Sequence, residues 1–318
     1  MRVKWAVIAG LALTQAVGAY AYPTKPVRFI VPFPPGGGAD LVGRVVGQKL
    51  GELWGQQVIV DNRAGAGGNI AAEITAAAAP DGYTLFQFNV ANAIAPSVYK
   101  KLNYDPVKDF AAVTQLATSP FVLLAYPGIK AKNVQELVTM ARAEPGKLSY
   151  ASSGIGGASH LLGELFKAMS KTEIVHVPYK GAVPALNDIM SGRMHLMFVV
   201  PATATPHINA GRVRALGISS AKRSPLAPDI PTVSESGVAG FEGTTWYGVV
   251  VPATTPRDVV AKLNRDVRHV LQQPDIRERF TAQNVEVVTS TPEEFAQFIR
   301  SEMVKWRQVA SAAGIRVE

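Results

Sequence analysis

Three glycine-rich segments are the residues of this sequence whose type and spacing best suit ligand chemistry. They are Gly36-Gly37-Gly38, Gly65-Ala66-Gly67-Gly68 and Gly154-Ile155-Gly156-Gly157, each between an apolar run and a helix-like run. Glycine lets successive backbone N–H groups point into one concavity, and the N-terminus of a following helix adds about half a positive charge. Such a loop binds an anion without a basic side chain. A plain tight turn is the alternative for each segment, and both interpretations stay open.

Motifs of nucleotide binding, metal binding and catalysis do not match. The spacing G-x-G-x-x-G fails because Leu41, Ile70 and Ser159 occupy the third glycine position, and no P-loop is present. The sequence contains neither H-E-x-x-H nor G-x-S-x-G. Its histidines are dispersed without metal-ligand spacing: His160, His176, His195, His207 and His269. We therefore expect no cofactor, no metal and no catalytic residue.

Single polar residues beside the loops leave alternatives open. His160 follows the third loop directly, and ligand contact or a capping and packing role are equally compatible with its position. Asp40 lies in a predicted first helical turn, where the helix dipole favours a carboxylate that caps the loop. The same carboxylate could instead hold a water molecule or an amine of the ligand. For Arg63 and Lys180, a solvated surface position is the preferred interpretation.

Composition narrows the class of partner. The chain has 318 residues, of which 47% are hydrophobic, and it contains no cysteine, which excludes disulfides, thiolate metal sites and cysteine nucleophiles. Lysine and arginine number 32 against 24 acidic residues, a formal net charge of +8, but these residues are scattered rather than clustered. We therefore expect a small anion and no nucleic acid as the partner.

Residues 1–21 have the pattern of a secretory signal peptide. Arg2 and Lys4 precede the apolar stretch 6–18, and Ala19-Tyr20-Ala21 fits the small-x-small cleavage rule. A transmembrane anchor is the less suitable interpretation, because a spanning helix needs about 20 apolar residues. We predict cleavage after about Ala21 and export to the periplasm.

Strand-like and helix-like runs alternate along the remaining chain, which predicts an α/β fold with largely parallel sheets. The predicted strands are 27–31, 58–60, 85–88, 121–125, 148–151, 174–177, 196–200, 214–218 and 246–251. The length predicts two domains. Three helix starts are also predicted: Asn133 caps one helix with Glu136 as its capping-box partner, and the Thr-Pro pairs at Thr255 and Thr291 cap two others.

A series of short motifs continues in order along the whole predicted mature chain. They are Tyr22-Pro23-x-Lys25-Pro26-Val27, Val31-Pro32-Phe33-Pro34-Pro35-Gly36-Gly37-Gly38-x-Asp40, Asn62-Arg63-x-Gly65-Ala66-Gly67-Gly68, Pro80-Asp81-Gly82-Tyr83-Thr84-Leu85, Tyr104-Asp105-Pro106-x-x-Asp109-Phe110, Ser152-Ser153-Gly154-x-Gly156 with His160, His176-Val177-Pro178-Tyr179-Lys180-Gly181, Pro231-Thr232-Val233-x-Glu235 and Trp246-Tyr247-Gly248. In these motifs the chain resembles the Bug-type extracytoplasmic solute receptors, the substrate-binding proteins of tripartite tricarboxylate transporters.

The resemblance implies a two-lobed α/β fold of the type II periplasmic-binding-protein (Venus flytrap) kind. The strand pattern places the crossings between the lobes near residues 121–125 and 242–246. We therefore expect residues 22–122 and 246–318 in the first lobe and residues 123–245 in the second. The implied ligand lies in the cleft, where the loops at 33–40 and 152–160 hold a carboxylate largely through backbone N–H groups and ordered water.

The expected ligand-binding residues follow from that alignment of motifs. They are Phe33, Pro34, Pro35, Gly36, Gly37, Gly38, Asp40, Asn89, Ser152, Ser153, Gly154, Gly156, His160, Tyr179 and Val199. One position departs from the family pattern, because many members have an aspartate where this chain has Val199. If that aspartate faces the distal end of the ligand, this chain should disfavour an amino group, and a dicarboxylate or an aromatic acid suits it better.

The expected function is that of a periplasmic solute-binding protein. It would capture a small carboxylate in the interlobe cleft as a monomer, without catalysis, and deliver it to inner-membrane permease subunits of the tripartite tricarboxylate transporter. Two alternatives stay open: a secreted, hydrolase-like α/β enzyme that uses the same cleft, and a ligand sensor for a membrane signalling protein.

Overall fold

The described part of the chain forms two α/β units. The computed structural model describes residues 22–225, 227–312 and 314–315. The predicted signal peptide, residues 1–21, lies outside the described residues. Among the described helices, none combines the length and the apolar character that crossing a bilayer would require.

The first unit begins with strands that each lead into a helix. Its N-terminal elements are β1 (Val27–Val31), α1 (Gly38–Trp54), β2 (Val58–Asn62), a 3-10 turn (Ala66–Gly68), α2 (Asn69–Ala76), β3 (Thr84–Asn89), α3 (Val90–Val98) and β4 (Phe110–Pro120). Four of the five side chains of β1 are buried, and β1 pairs in parallel with β2 and β3. A strand that is covered by helices on both faces has a nearly continuous run of apolar residues, as β1 does.

The second unit repeats the strand-to-helix connection. Its elements are β5 (Val122–Ala125), α4 (Val134–Ala143), β6 (Ser149–Ser152), α5 (Ala158–Ser170), β7 (Val175–Pro178), α6 (Ala182–Met190), β8 (Leu196–Val199), α7 (Pro201–Asn209) and β9 (Arg214–Ile218). The strands lie in the order β7-β6-β8-β5-β9. Along the chain, each of the strands β6, β7 and β8 is followed after a short loop by a helix.

The chain then returns to the first unit. The returning elements are β10 (Thr244–Pro252), α8 (Arg257–Leu271), α9 (Pro274–Thr281), β11 (Glu286–Val287) and α10 (Pro292–Ala312). With them the first sheet has the order β11-β4-β10-β3-β1-β2.

Both sheets are mixed, which differs from the largely parallel sheets predicted. β10 is antiparallel to β3 and β4, and β5 is antiparallel to β8 and β9. These antiparallel strands flank the two points at which the chain passes between the units. The eleven residues of β4 were not predicted as a strand, because the polar residues Thr114, Gln115, Thr118 and Ser119 interrupt its apolar pattern.

Ser219 connects the two crossing segments. Its hydroxyl accepts a hydrogen bond from the Phe121 N–H (2.8 Å) and donates one to the Gly243 carbonyl (2.5 Å). The Ser219 N–H also donates to the Phe121 carbonyl (2.8 Å). Ser219 is fully buried. The hinge between the two units is thus a hydrogen-bonded pair of segments and not two independent linkers.

Two of the three predicted helix starts are confirmed. The Asn133 side chain accepts from the Glu136 N–H (2.8 Å), and Thr291 and Glu294 form a reciprocal capping box. The capping box predicted with Glu136 is wrong, because the Glu136 carboxylate accepts from the Lys132 N–H (2.8 Å) and not from the Asn133 N–H. The prediction for Thr255 is wrong. Its hydroxyl donates to the Pro252 carbonyl (2.7 Å), and α8 begins at Arg257 without a side-chain cap.

Candidate functional site

A cavity lies between the two units. Eight of the residues expected to bind ligand line it: Phe33, Pro34, Pro35, Gly37, Gly38, Asn89, Ser153 and Val199. The first unit contributes the loop after β1 and the end of β3, and the second contributes the loop after β6 and the end of β8. The cavity is therefore at the carboxyl ends of strands from both sheets, where ligands bind in open α/β sheets.

Four helices begin at the walls of this cavity. The first helical residues of α1, α3, α5 and α6 line it, namely Gly38 and Ala39, Val90 and Ala91, Ala158 and Ser159, and Ala182 and Val183. Backbone N–H groups in a first helical turn have no acceptor within the helix. Each helix also has the positive end of its dipole there. The cavity therefore has a positive potential that comes from the backbone.

No charged side chain is present among the described residues that line the cavity. Its polar side chains are Asn89, Ser153, Ser159, Thr245 and Tyr247, and the others are apolar. No group of three or more His, Asp or Glu residues that could hold a metal ion occurs in the part of the chain that the structure describes. The arrangement suits the binding of an organic anion, and its walls provide no carboxylate or imidazole for acid–base catalysis.

Asp40 holds the first glycine loop from behind. It is buried, and its carboxylate accepts hydrogen bonds from the Gly36 N–H (3.0 Å), the Arg44 Nε (2.9 Å) and the Asn62 Nδ2 (3.0 Å). Burial alone would raise the pKa of Asp40, but these hydrogen bonds outweigh it and lower the pKa. Neither Asp40 nor Gly36 lines the cavity; both border a small groove beside α1. The carboxylate therefore fixes the loop that positions the N-terminus of α1.

The loop after β6 is held by serines and histidines. The Ser153 N–H donates to the Ser159 hydroxyl (2.9 Å), which orients both residues at the cavity wall. Behind them, the Gly156 N–H donates to His160 Nδ1 (3.2 Å), and the Ser152 hydroxyl lies 2.7 Å from His176 Nε2. Ser152, Gly156 and His160 do not line the cavity. The structure places them as supports of this loop.

His160 and His176 form a stacked pair below the loop. Their ring centroids are 4.1 Å apart, with an angle of 22° between the planes. Burial and, to a smaller extent, the neighbouring His160 lower the pKa of His176 to about 4. Burial likewise lowers the pKa of His160. Both rings are therefore neutral at pH 7, which His160 requires in order to accept from the Gly156 N–H.

Asn89 is the N-cap of α3. Its Oδ1 accepts from the Ala91 N–H (2.8 Å), and its own N–H donates to Asn92 Oδ1 (3.1 Å). The side chain is buried and lines the cavity, but its Nδ2 has no hydrogen-bond partner in the described protein. A buried amide donor without a partner is costly. The Asn89 amide therefore keeps one buried donor unsatisfied in the described protein.

An outer cleft with an empty volume of about 1220 Å³ adjoins the cavity, since Phe33, Pro34 and Ser153 line both. The second glycine segment, 65–68, lines this outer cleft and not the cavity, together with Gly154, Tyr179 and Lys180. The Tyr179 hydroxyl donates to Asp188 (2.7 Å). Here the two units also touch, because the Tyr99 hydroxyl donates to the Ile155 carbonyl (2.9 Å).

Sequence reasoning missed a wall of the cavity. Thr245 and Tyr247 come from β10, and Phe121, Phe198 and Val200 complete this side. Tyr247 is buried, which raises its pKa far above the ordinary value. The motif Trp246-Tyr247-Gly248 and the predicted crossing beside it were the available signals. A strand pattern alone does not tell which face of β10 meets a ligand.

A family model described as the tripartite tricarboxylate transporter family receptor matches residues 42–315. A protein from the tcbD-tcbE intergenic region of Pseudomonas sp. strain P51 is 38% identical, with 95% of this chain and 92% of that protein covered. Protein BugT of Bordetella pertussis is 34% identical, with 98% and 96% covered.

Solved structures share the fold over nearly the whole chain. Rpa4515 of Rhodopseudomonas palustris, solved with adipate, has a TM-score of 0.91 and 35% identity, with 93% of this chain and 100% of that chain covered. The periplasmic binding protein BugD has a TM-score of 0.89 and 33% identity, with the same coverage. MatC of the same Rhodopseudomonas species, with bound malate, has a TM-score of 0.86 and 34% identity, with 91% and 99% covered.

Proposed function

This chain belongs to the tripartite tricarboxylate transporter receptor family, whose members are solute-binding receptors and not enzymes, and from this premise we propose its ligand and its partner. The ligand is a small carboxylate, which the protein captures in the cavity between its two lobes. The partner is the set of inner-membrane permease subunits to which the loaded receptor delivers that anion. Neither step requires a cofactor or catalysis.

One observation carries the proposal: four helices begin at the walls of a cavity that has no charged side chain among its described residues. A carboxylate there accepts hydrogen bonds from backbone N–H groups and lies at the positive ends of several helix dipoles. The related structures solved with adipate and malate support the same chemical class. An arginine is unnecessary when the fixed backbone supplies the positive potential.

The fifteen predicted ligand-binding residues then divide by role. We propose that the eight residues that line the cavity contact the ligand directly. We propose that Gly154 and Tyr179 lie at the entrance of the cavity. Asp40 with Gly36, and His160 with Ser152 and Gly156, position the two gripping loops. The division follows from which side chains reach the cavity and which are occupied by hydrogen bonds inside their own lobe.

Ligand-driven closure is the mechanism that this architecture favours. An open form is expected to dominate without ligand, and a carboxylate that contacts both lobes shifts the population towards the closed form. We propose that residues 22–122 and 246–318 form one lobe and residues 123–245 the other. We also propose that the mature chain starts after about Ala21 and acts as a monomer in the periplasm.

The test compares carboxylate binding by three forms of the protein. Native mass spectrometry of the periplasmically expressed chain identifies any co-purified acid, and calorimetric titration with that acid, adipate and malate measures its affinity. The variant Ala182→Asp places a negative charge at the start of α6, where a carboxylate stabilises the helix but repels an anionic ligand. We expect an affinity loss of at least about tenfold.

The control is Gln135→Asp, which adds the same charge to the first turn of α4, at an exposed position outside the cavity. It should bind as the unaltered protein does. Unchanged affinity in Ala182→Asp would overturn the assignment of the site. Recovery of a chemically altered ligand, or the absence of any bound acid, would overturn the proposed function.

A further inference from the structure

The outer cleft has one charged side chain among the described residues that line it, and this residue is Lys180. The cleft adjoins the cavity at Phe33, Pro34 and Ser153, and the cavity has no charged side chain among its own described residues. Within the described part of the chain, no aspartate or glutamate lines either space. An anion that enters through the outer cleft therefore passes a positive charge and no negative one.

The Lys180 side chain is free to act on an incoming ligand. The residue is exposed, and its side chain takes part in no hydrogen bond or ion pair with the described residues. Arg63 also lies beside a glycine loop, but its guanidinium is paired with Asp61 (2.9 Å), and it lines neither the outer cleft nor the cavity. Of these two basic residues, only Lys180 therefore presents an unpaired charge to the route of the ligand.

The chain connects Lys180 directly to the junction of the two spaces. Gly181 follows it, and a Cβ atom added there would be 2.8 Å from Cγ of Pro34, which lines both spaces. Ala182 then begins α6 at the cavity wall. Two residues span at most about 7 Å, and the Debye length at physiological ionic strength is about 8 Å. The charge of Lys180 is therefore only partly screened where the outer cleft meets the cavity.

We infer that Lys180 is a steering residue: it draws the anionic ligand into the outer cleft and raises its association rate, without contacting the ligand once it is bound. Lys180 is not among the described residues that line the cavity. A charge at the rim of a site acts mainly on the association rate and its salt dependence, whereas a contact inside the site acts on dissociation. The inference rests on the proposed function, because an uncharged ligand would not be steered.

Stopped-flow association and dissociation measure this role with adipate, malate and any co-purified acid as ligands. Lys180→Gln removes the charge, and Lys180→Glu reverses it. At an ionic strength of about 0.01 M, we expect the association rate constant for a dianion to fall about twofold to fourfold in Lys180→Gln and on the order of tenfold in Lys180→Glu. Both differences should nearly vanish at about 1 M salt, where the Debye length is about 3 Å. The dissociation rate constants should stay unchanged.

Lys147→Glu is the matched control. Lys147 is exposed and belongs to the same lobe, but it precedes β6, whereas Lys180 follows the parallel strand β7. The two lysines therefore lie at opposite ends of one sheet, and their substitution changes the net charge equally. Lys147→Glu should leave the association rate constant nearly unchanged, and thermal unfolding verifies that all variants fold.

Three results would overturn the inference. They are an unchanged association rate constant in Lys180→Glu, an equal decrease in Lys147→Glu, and faster dissociation without slower association in the Lys180 variants. The last result would make Lys180 a contact of the bound ligand. If the unaltered protein binds neither adipate nor malate and no acid co-purifies, the proposed function itself is contradicted, so the two failures can be told apart.

Discussion

At the scale of single residues, the Tyr99 side chain forms a direct hydrogen bond between the two lobes. It follows α3 in the first lobe, and its hydroxyl donates to the Ile155 carbonyl in the second (2.9 Å). Because this hydrogen bond joins the two lobes, we expect an opening of the outer cleft to break it. We predict that Tyr99→Phe lowers ligand affinity by about threefold to tenfold, the effect of one net hydrogen bond, and acts mainly on the dissociation rate.

Stopped-flow release of adipate measures that dissociation rate. Tyr83→Phe is the matched control, because the hydrogen bonds of the Tyr83 hydroxyl within the described part of the chain go to the exposed Thr24 of the first lobe. It should leave the rate unchanged. An unchanged dissociation rate in Tyr99→Phe would show that this contact does not stabilise the closed form.

The stacked histidines predict a pH dependence of stability. Burial lowers the pKa of His176 to about 4 and lowers the pKa of His160, His195 and His207 in the same direction. In the unfolded chain, histidine has a pKa of about 6.5 and therefore binds more protons than in the folded protein between these values. The free energy of unfolding should have its full value above pH 6.5 and should decrease as the pH falls towards 4.

Urea unfolding at pH 7, 6 and 5 measures this dependence. Glu164 and Lys167 face the pair and shift the pKa of His176 in opposite directions, so the burial effect dominates. The substitution His176→Gln removes one titrating ring and should reduce the loss of stability between pH 6.5 and 5. Equal stability at pH 7 and pH 5 would contradict the prediction.

Residue types predicted part of the site, and hydrogen-bond geometry decided the rest. The loops at 36–38 and 154–157 could be located from the sequence because glycine and the strand-to-helix spacing act locally. Ser153 lies at the cavity wall and His160 lies behind it. This difference depends on which atoms form hydrogen bonds across the loop. The unpartnered Nδ2 of Asn89 has no sequence signal, because it depends on packing between distant segments. The motif at Trp246-Tyr247-Gly248 marks Tyr247, but it does not tell that the side chain reaches the cavity.

At the scale of elements, the start of α1 lies directly against the second lobe. A Cβ atom added to Gly38 would be 2.6 Å from Val200 Cγ2, which is closer than carbon atoms approach. Gly38 and Val200 belong to different lobes, so an opening of the cleft relieves this clash. We predict that Gly38→Ala weakens ligand binding at least about tenfold and changes stability little, because the other close atom, the Tyr247 hydroxyl at 3.0 Å in the same lobe, has to shift by only a few tenths of an ångström.

Calorimetric titration and urea unfolding of Gly38→Ala measure both effects. The double variant with Val200→Ala removes the opposing methyl group and should regain part of the lost affinity. Restoration of affinity would identify the clash between the lobes as the cause. Equal affinities of Gly38→Ala and the unaltered protein would show that α1 and Val200 do not approach each other in the bound state.

The two Thr-Pro motifs show where element prediction from sequence ends. Thr291 caps α10 as predicted, and Thr255 instead bonds the Pro252 carbonyl at the end of β10. Both Thr-Pro motifs predict the same helix cap. In the tight turn after β10, however, the Thr255 hydroxyl bonds the strand end, so it does not cap α8. Strand β1 could be predicted from five consecutive residues, whereas the mixed pairing of β10 depends on partners more than a hundred residues away along the chain.

The C-terminal helix α10 is fixed to β10 by one buried carboxylate. Glu302 Oε2 accepts from the indole N–H groups of Trp246 (2.8 Å) and Trp306 (2.9 Å). We predict that Glu302→Leu lowers the free energy of unfolding by about 2–4 kcal/mol, because two buried donors lose their acceptor. Glu302→Gln retains an oxygen acceptor and should cost clearly less. Urea unfolding compares the two variants, and equal losses would contradict this explanation.

At the scale of the whole molecule, the two lobes share one continuous core. Buried side chains of the first unit, such as Phe86, and of the second, such as Phe198, belong to the same hydrophobic cluster. Gly243 lies at their junction, because a Cβ atom added to it would clash with Leu162 of α5 and would be 3.8 Å from Trp306 of α10. The packing around the crossing segments therefore joins the buried side chains of both lobes into one core.

This continuity predicts how the protein unfolds. Scanning calorimetry of the ligand-free chain should give a single transition with equal calorimetric and van't Hoff enthalpies, although the fold has two lobes. A ligand that binds only the folded form should raise the midpoint temperature of the whole transition. At a ligand concentration of one hundred times Kd, it should add about 2.7 kcal/mol to the free energy of unfolding. Trp306→Ala removes a buried side chain at the junction and should lower stability by about 3–5 kcal/mol and broaden the transition. Two resolved transitions in the unaltered protein, of which ligand shifts only one, would instead show that each lobe folds on its own core.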